Sequence, residues 1–365
     1  GSSRRVTVGR RSRCCPDPSV PSAALIIVRK NKEKLTFPVI LRKCRTLRRI
    51  LLSSALRLVD FLWAIPRRSW KVLRIIRREG WRALWYFIEE RFGPQDRELY
   101  ELWKRRHRLT SRDQERIRKE IERLPFRPLL SILLPVYNTD EAWLRRCLDS
   151  VLGQLYPHWE LCVADDASTM PHIRSVLEEY HSRDGRIKVV FRERNGHISA
   201  ASNSALSLAT GDYVALLDHD DELTPDALYE IASLLCREPD TDMVYTDEDK
   251  IDTRGERHSP FFKPDWSPDT LLSLMYTCHL GVYRTALVRR IGGFREGFEG
   301  SQDYDLVLRL TEHTERIGHI PRILYHWRSI PESSAARFHA KDYAQDAGFR
   351  AIREALQRRG EDAVV

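Results

Sequence analysis

None of the seven cysteines of this 365-residue chain (Cys14, Cys15, Cys44, Cys147, Cys162, Cys236, Cys278) stands in a CxxC pair or another paired metal-ligand spacing. That sets aside a zinc ribbon and a thioredoxin-type redox motif, and leaves free thiols in a reducing compartment as the expectation. Long apolar runs are missing as well. The most hydrophobic window, ILLSSALRLVDFLWAI, is broken by Arg57 and Asp60 and is too short and too charged to span a bilayer. The Arg-rich beginning, whose apolar run AALIIV has six residues, does not read as a secretory signal peptide. There is no internal repeat and no low-complexity tract.

What is present is a core-forming composition, 42% hydrophobic, and a divided charge. Residues 1–125 hold 33 Lys/Arg against 13 Asp/Glu, a net of +20, while residues 126–365 hold 28 against 39, a net of −11. A basic arm on an acidic body suggests a polyanionic surface as the arm's partner. The negative body argues against a nucleic-acid channel, which would be lined with positive charge, so no nucleic-acid partner is expected.

Within the arm, residues 1–40 read as a poorly ordered basic segment, and residues 41–125 as a basic amphipathic helical region. Leu47, Leu51, Ala55, Leu58, Leu62 and Ile65 share one helical face while Arg45, Arg49 and Arg57 point away, until Pro66 stops the helix. The next stretch carries Trp70, Trp81, Trp85, Tyr86 and Phe87 among Arg and Lys. Such interleaving suits a helix lying in a membrane interface; a helical hairpin packing its aromatics on the main domain is the competing reading. Residues 96–125 read as one or two charged helices.

From residue 129 strands and helices alternate. LLSILLPVY, ELCVADDAS, IKVVFRE, YVALLD and DMVYTDED read as strands, with helices between them. Apolar strands separated by helices imply an α/β fold with a doubly wound, mostly parallel sheet and helices on both faces. This domain is expected over 126–340, followed by a C-terminal helix in 341–365 that serves as a linker if a second domain follows. In such sheets ligands bind beyond the carboxyl ends of the strands. Here three strand ends are acidic, in ADDAS, DHDD and TDED.

The sharpest case is GDYVALLDHDDEL, residues 211–223, where a buried-strand pattern runs into four carboxylates within five residues. Crowded carboxylates raise one another's pKa unless something positive sits among them. A divalent cation is one answer. A solvated loop leading to a helix that begins at Thr224–Pro225 is the other. Helix caps at Asp140, Ser168 or Thr224 are compatible with either.

These residues resemble the family-2 glycosyltransferases of the GT-A fold over about residues 129–328. SILLPVYN resembles their opening strand, VADDAS their nucleotide-binding turn, LLDHDD their DxD metal motif, and GSQDYDLVLRL the segment with the catalytic base. DHDDEL, YTDEDKID, FFKPDWSPD and HIPRILYHWR narrow the resemblance to bacterial enzymes that build O-antigen or capsule, often rhamnosyltransferases. The resemblance implies metal-dependent, inverting transfer from a dTDP- or UDP-linked sugar, dTDP-rhamnose being favoured, to a saccharide or lipid-linked acceptor. It implies Mg²⁺ or Mn²⁺ on Asp220, with Asp218 near the ribose or the metal and His326 completing the shell. Asp303 would be the base, and Asp305 structural. Pro135, Tyr137, Asn138, Asp166 and Asn195 would line the nucleotide pocket, with Asp165 supporting its turn. Asp247, Glu248 and Asp249 would face the donor sugar or the acceptor, or form a solvated strand end. A peripheral position on the cytoplasmic face of the plasma membrane, through residues 41–92, completes the expectation.

Two departures stand out. Gln302 replaces a Glu found in many relatives, and Ser202 replaces an Arg. A phosphatase-like hydrolase would want Thr or Val where Glu222 stands, and a nucleotidyltransferase would want a Gly-rich basic loop in place of PVYNTDEAW. A membrane-binding module with a catalytically degenerate, nucleotide-sugar-binding body is the alternative from another class.

Overall fold

A computed structural model of the protein describes residues 96–329 and 342–361. The chain divides into two compact units, residues 1–93 and 94–365, and everything described here belongs to the second. The helices expected in 41–65 and 69–92, and the segment 1–40, lie outside the described residues. The unit that holds the domain expected over 126–340 also includes residues 94–125. Helices α1 (Asp96–Arg106) and α2 (Ser111–Glu122) belong to the body, because Ile117 and Ile121 are buried in its core and the Tyr100 hydroxyl donates to Asp249.

Among the described residues the sheet has nine strands. Strands β1 (Leu130–Val136), β2 (Trp159–Asp165), β3 (Ile187–Phe191) and β4 (Tyr213–Leu216) run parallel in the order β3-β2-β1-β4. Helices α3 (Glu141–Leu152), α4 (Pro171–Arg183) and α5 (His197–Leu208) connect them. This half is the doubly wound sheet expected. Beyond β4 the sheet becomes mixed. Strand β8 (Gly281–Arg284) pairs antiparallel with β4 and with β6 (Met243–Ile251). Strand β9 (Ile317–Arg328) runs parallel to β6, and β5 (Glu222–Leu223) and β7 (Arg257–Phe261) are short antiparallel additions. The strand read from DMVYTDED is therefore not β4's parallel neighbour; β8, too short to announce itself in sequence, is inserted between them.

Strand alternation divides the core in two. Leu130, Ile132, Leu134 and Val136 of β1 face one cluster, with α2, α3, α4 and α6 (Ala227–Arg237) over it. Leu133 faces the other, under α5, α7 (Pro268–Ser273), α8 (Thr285–Arg290), α9 (Gln302–Thr311) and α10 (Asp342–Arg359). Of the expected caps, Asp140 accepts from Ala142 N at 2.8 Å, whereas α4 and α6 begin after Met170 and Asp226.

One buried carboxylate fastens the parallel half. Glu160 on β2 accepts from Ser131 Oγ at 2.6 Å, Lys188 Nζ at 2.6 Å and Thr210 N at 2.5 Å. Burial by itself would raise its pKa, but Lys188, Ser131 and Thr210 outweigh that and hold it down at about 2. An unfolded Glu titrates near 4.3, so this stabilisation is present above about pH 4.3 and is lost as pH falls toward the folded value. Glu160→Gln should therefore flatten the acid limb of stability between about pH 4.3 and 2 and cost about 1–3 kcal/mol at neutral pH. Denaturant titrations from pH 7 to pH 2 measure both; an unchanged acid limb would remove Glu160 from its cause.

Candidate active site

The carboxyl ends of β1, β2 and β4 open into a cleft of about 560 Å³, within the range of small-molecule sites. Its lining includes Pro135, Tyr137, Asp166, Asn195 and His197 from the β1, β2 and β3 turns, Glu299, Gln302 and Asp303 around the start of α9, and Asp218, Cys278, His279, Trp327 and Tyr343. Residues from β1 to α10 meet here, which explains why no single stretch of sequence reveals it.

The nucleotide-type end is built by three turns. Asp166, buried, accepts from Gly196 N at 3.0 Å, and Arg192 Nε lies 2.7 Å from its Oδ1. Asn195 Nδ2 donates to the Asp166 carbonyl at 3.2 Å. Asp165 Oδ1 accepts from Ser168 N, as expected of a turn support. Tyr137 is 45% exposed although it lines the cleft, so its ring face is available. Asn138 differs from expectation. Its Oδ1 accepts from Thr169 N at 2.8 Å and Met170 N at 3.1 Å, and its Nδ2 donates to Thr169 Oγ1. These bonds tie the β1 turn to the β2 turn, and the residue is not among those lining the cleft.

The acidic run after β4 resolves into four different environments. The Asp218 carboxylate lines the cleft and has no hydrogen-bonding or ion-pairing partner among the described residues. Asp221 is fully buried, accepting from Tyr325 Oη at 2.5 Å and Arg328 N at 2.6 Å. Burial, with Asp220 and Asp218 adding to it, pushes its carboxyl well up. Glu222 pairs with the Arg328 guanidinium, whose Nε donates to the Asp220 carbonyl at 2.6 Å. Asp220 is half-buried; burial raises its pKa, His219 opposes the rise and Asp218 adds to it. Thus the buried strand tolerates its acidic end partly because Arg328, itself 0% exposed, sits among the carboxylates.

Asp218, Asp221 and His279 present ligand atoms within 4.8 Å of one another. A carboxylate without a partner, a second carboxylate and an imidazole suit a divalent cation bound mainly by oxygen. Asp220, the expected main ligand, is neither in that group nor on the cleft wall. His326 is a correction. Adjacent residues of a strand face opposite ways, so Trp327 enters the cleft and His326 points to the other side of β9, where its Nδ1 is 2.5 Å from Asp249 Oδ1. His279 was missed in sequence because it lies in a loop outside every motif; it stacks on Tyr325 with ring centroids 4.6 Å apart.

Asp247, Glu248 and Asp249 are corrected as well. None lines the cleft or a solvated strand end, and all three are buried and paired. Asp247 accepts from Lys263 N and lies 3.1 Å from His319 Nε2. Glu248 takes Lys263 Nζ at 2.8 Å and His279 N at 3.0 Å, so it positions His279. Burial would raise the Asp249 pKa, but His326, Arg257 and Tyr100 outweigh it and hold it low.

Asp303 stands in the first turn of α9, half-buried, its Oδ1 accepting from Tyr304 N at 2.8 Å. Burial pushes its carboxyl up, His279 opposes, and Asp218 adds to the rise. Asp305, two residues on, is fully buried between Arg295 and Arg309 and is structural, as expected. Gln302 uses its Oε1 to accept from Gly300 N at 2.8 Å. Gly300 has φ +81°, and a Cβ there would lie 2.7 Å from Ala344 Cβ, so glycine lets α10 close against the loop that delivers Asp303.

Residues 131–292 match the family model described as Glycosyl transferase family 2. The chain is 51% identical to an uncharacterized protein of Sinorhizobium fredii over 257 residues, covering 70% of this chain and 28% of that one. It is 45% identical to the O-antigen biosynthesis protein RfbC of Myxococcus xanthus, covering 67% of this chain and 19% of that one. The chain thus spans less than a third of the length of either relative. Among solved structures, S. aureus TarS 1–349 in complex with UDP-GlcNAc superposes with a TM-score of 0.52 at 22% identity, covering 64% of this chain and 68% of that one. The matching architecture, the DxD at the end of β4 and the carboxylate at the start of α9 agree with the sequence match: residues 131–292 form a glycosyl transferase family 2 domain, on a GT-A fold.

Proposed function

We propose that this protein transfers a sugar from a nucleotide-sugar donor to a hydroxyl of a saccharide or lipid-linked saccharide acceptor, with inversion, in the synthesis of a bacterial surface polysaccharide. The observation that carries this reading is that Asp218 and Asp303, 85 residues apart in the chain, line one cleft together with Asp166 and Asn195. Likeness to the Myxococcus O-antigen biosynthesis protein supports the pathway, and likeness to the UDP-GlcNAc complex of TarS supports a nucleotide-sugar donor.

In this reading the exposed Tyr137 ring stacks on the nucleobase and Asp166 orients the base edge. The acceptor oxygen attacks the anomeric carbon as the bond to the diphosphate breaks. The hydroxyl proton passes to Asp303, and the nucleoside diphosphate leaves with the electron pair. Mg²⁺ or Mn²⁺ held by Asp218 and His279, with Asp221 or Asp220 beside them, would offset the charge on the leaving diphosphate. The donor we favour is dTDP-rhamnose, with UDP-hexoses the other candidates.

Asp218→Asn should weaken Mn²⁺-dependent UDP or dTDP binding at least tenfold, because it removes the partner-free anion of the site. Calorimetry with and without EDTA reads this directly, and equal affinity for the variant and the parent would overturn the metal assignment.

We further propose that residues 41–92 hold the enzyme peripherally on the cytoplasmic face of a membrane. Each Lys or Arg near an anionic leaflet contributes on the order of 1 kcal/mol, screened by salt. No described helix is long and apolar enough to cross a membrane. The intact chain should float with anionic vesicles at low salt and release at high salt; failure to float at low salt removes the proposal.

A further inference from the structure

A second cavity, of about 500 Å³, lies on the side of β9 opposite to Trp327. Its walls come from α1 and the loop after it, from the β5–α6 turn, from the start of β7 and from β9. Five of its lining residues are Lys or Arg (Lys104, Arg105, Arg108, Arg257, Arg322), against two carboxylates, Glu101 and Asp226. This inverts the charge balance of the unit that contains it, since residues 94–365 hold 38 Lys/Arg against 46 Asp/Glu, a net of −8.

The cations fall into two sets. Lys104, Arg257 and Arg322 are held in place: Lys104 Nζ lies 2.7 Å from Glu101, Arg257 Nε 2.6 Å from Asp249 and Arg322 Nη2 3.1 Å from Asp226. Arg105 and Arg108 have no carboxylate partner among the described residues, and both are exposed at the cavity. His326 also lines it, and because Nδ1 is committed to Asp249, Nε2 is the nitrogen left to meet a ligand. Trp103 stacks on His107 with centroids 4.3 Å apart, giving the cavity an aromatic wall.

We propose that this cavity is an anion site, distinct from the nucleotide cleft, that takes a phosphate or diphosphate group. Two guanidiniums without carboxylate partners among the described residues supply forked donors that match phosphate oxygens, and the paired cations fix the frame. Asp249 joins this site to the catalytic body, since the same carboxylate holds Tyr100 of α1, Arg257 and His326. The proposal does not depend on the transferase reading.

Calorimetry of the full chain at low salt with EDTA, which removes divalent cations from the cleft, tests it with two probes. Inorganic pyrophosphate stands for a diphosphate source and glycerol 3-phosphate for a phosphate monoester. At least one should bind, and Arg105→Gln/Arg108→Gln should weaken it tenfold or more, while Arg106→Gln, which alters a neighbouring cation not on the cavity wall, should change it less than twofold. Which probe binds identifies the source. His326→Gln, with the melting temperature monitored, should weaken the same probe. No binding of either probe, or equal losses in the Arg106 control and the double variant, would overturn the proposal.

Discussion

Asp303→Asn should leave nucleotide binding intact and reduce transfer by about 10² to 10⁴, the usual contribution of a positioned general base. The side chain keeps its size and can still accept from Tyr304 N, so α9 should start where it does now. What disappears is the cleft carboxylate at the start of α9; Asp305 is enclosed by Arg295 and Arg309, Gln302 is uncharged, and Glu299, which also lines the cleft, accepts from Gly297 N. The measurement is transfer rate beside UDP or dTDP affinity on the same preparation. Near-normal transfer would move the base elsewhere, and joint loss of binding and rate would show that Asp303 acts on the donor.

Arg328→Met should lower stability by about 3–5 kcal/mol, the usual consequence of taking one partner from a buried ionic group. In a unit of this size that is a fall of roughly 10 °C in melting temperature. The guanidinium is fully buried, donates to the Asp220 carbonyl, pairs with Glu222 and lies 4.3 Å over the Trp143 ring. Removing it leaves Glu222 without its buried partner and frees the turn that aims Asp218. Arg328→Lys should recover little, since an ammonium cannot reproduce the fork. Thermal melts of both variants decide the point; a fall of less than 2 °C in Arg328→Met would mean that water solvates the acidic turn.

The Arg328 result bears on what crowded charge means in a sequence. Four carboxylates after an apolar strand suggested an external cation, and Asp218 with His279 keeps that possibility. Part of the compensation, however, comes from within the chain, from an arginine more than 100 residues away.

The sequence by itself determined the alternating strands and helices through α6, because period-2 and period-3.6 apolar patterns are local. It also determined the DxD turn, the Asp165–Asp166 turn and the start of α9, whose residues carry their role in a short motif. Tertiary structure alone decided the rest. Only the inserted β8 makes the sheet mixed, and no local period encodes which strands become neighbours. Only the facing of β9 separates Trp327 from His326, because a one-residue register choice sends adjacent side chains to opposite sides. The carboxylates of β6 look alike as a string, and burial against Lys263, His319 and Arg257 turned them from candidate ligands into paired core groups. His279 and Arg328 gain their roles from contacts across the sheet, which are properties of the folded chain and leave no mark in any short stretch of sequence.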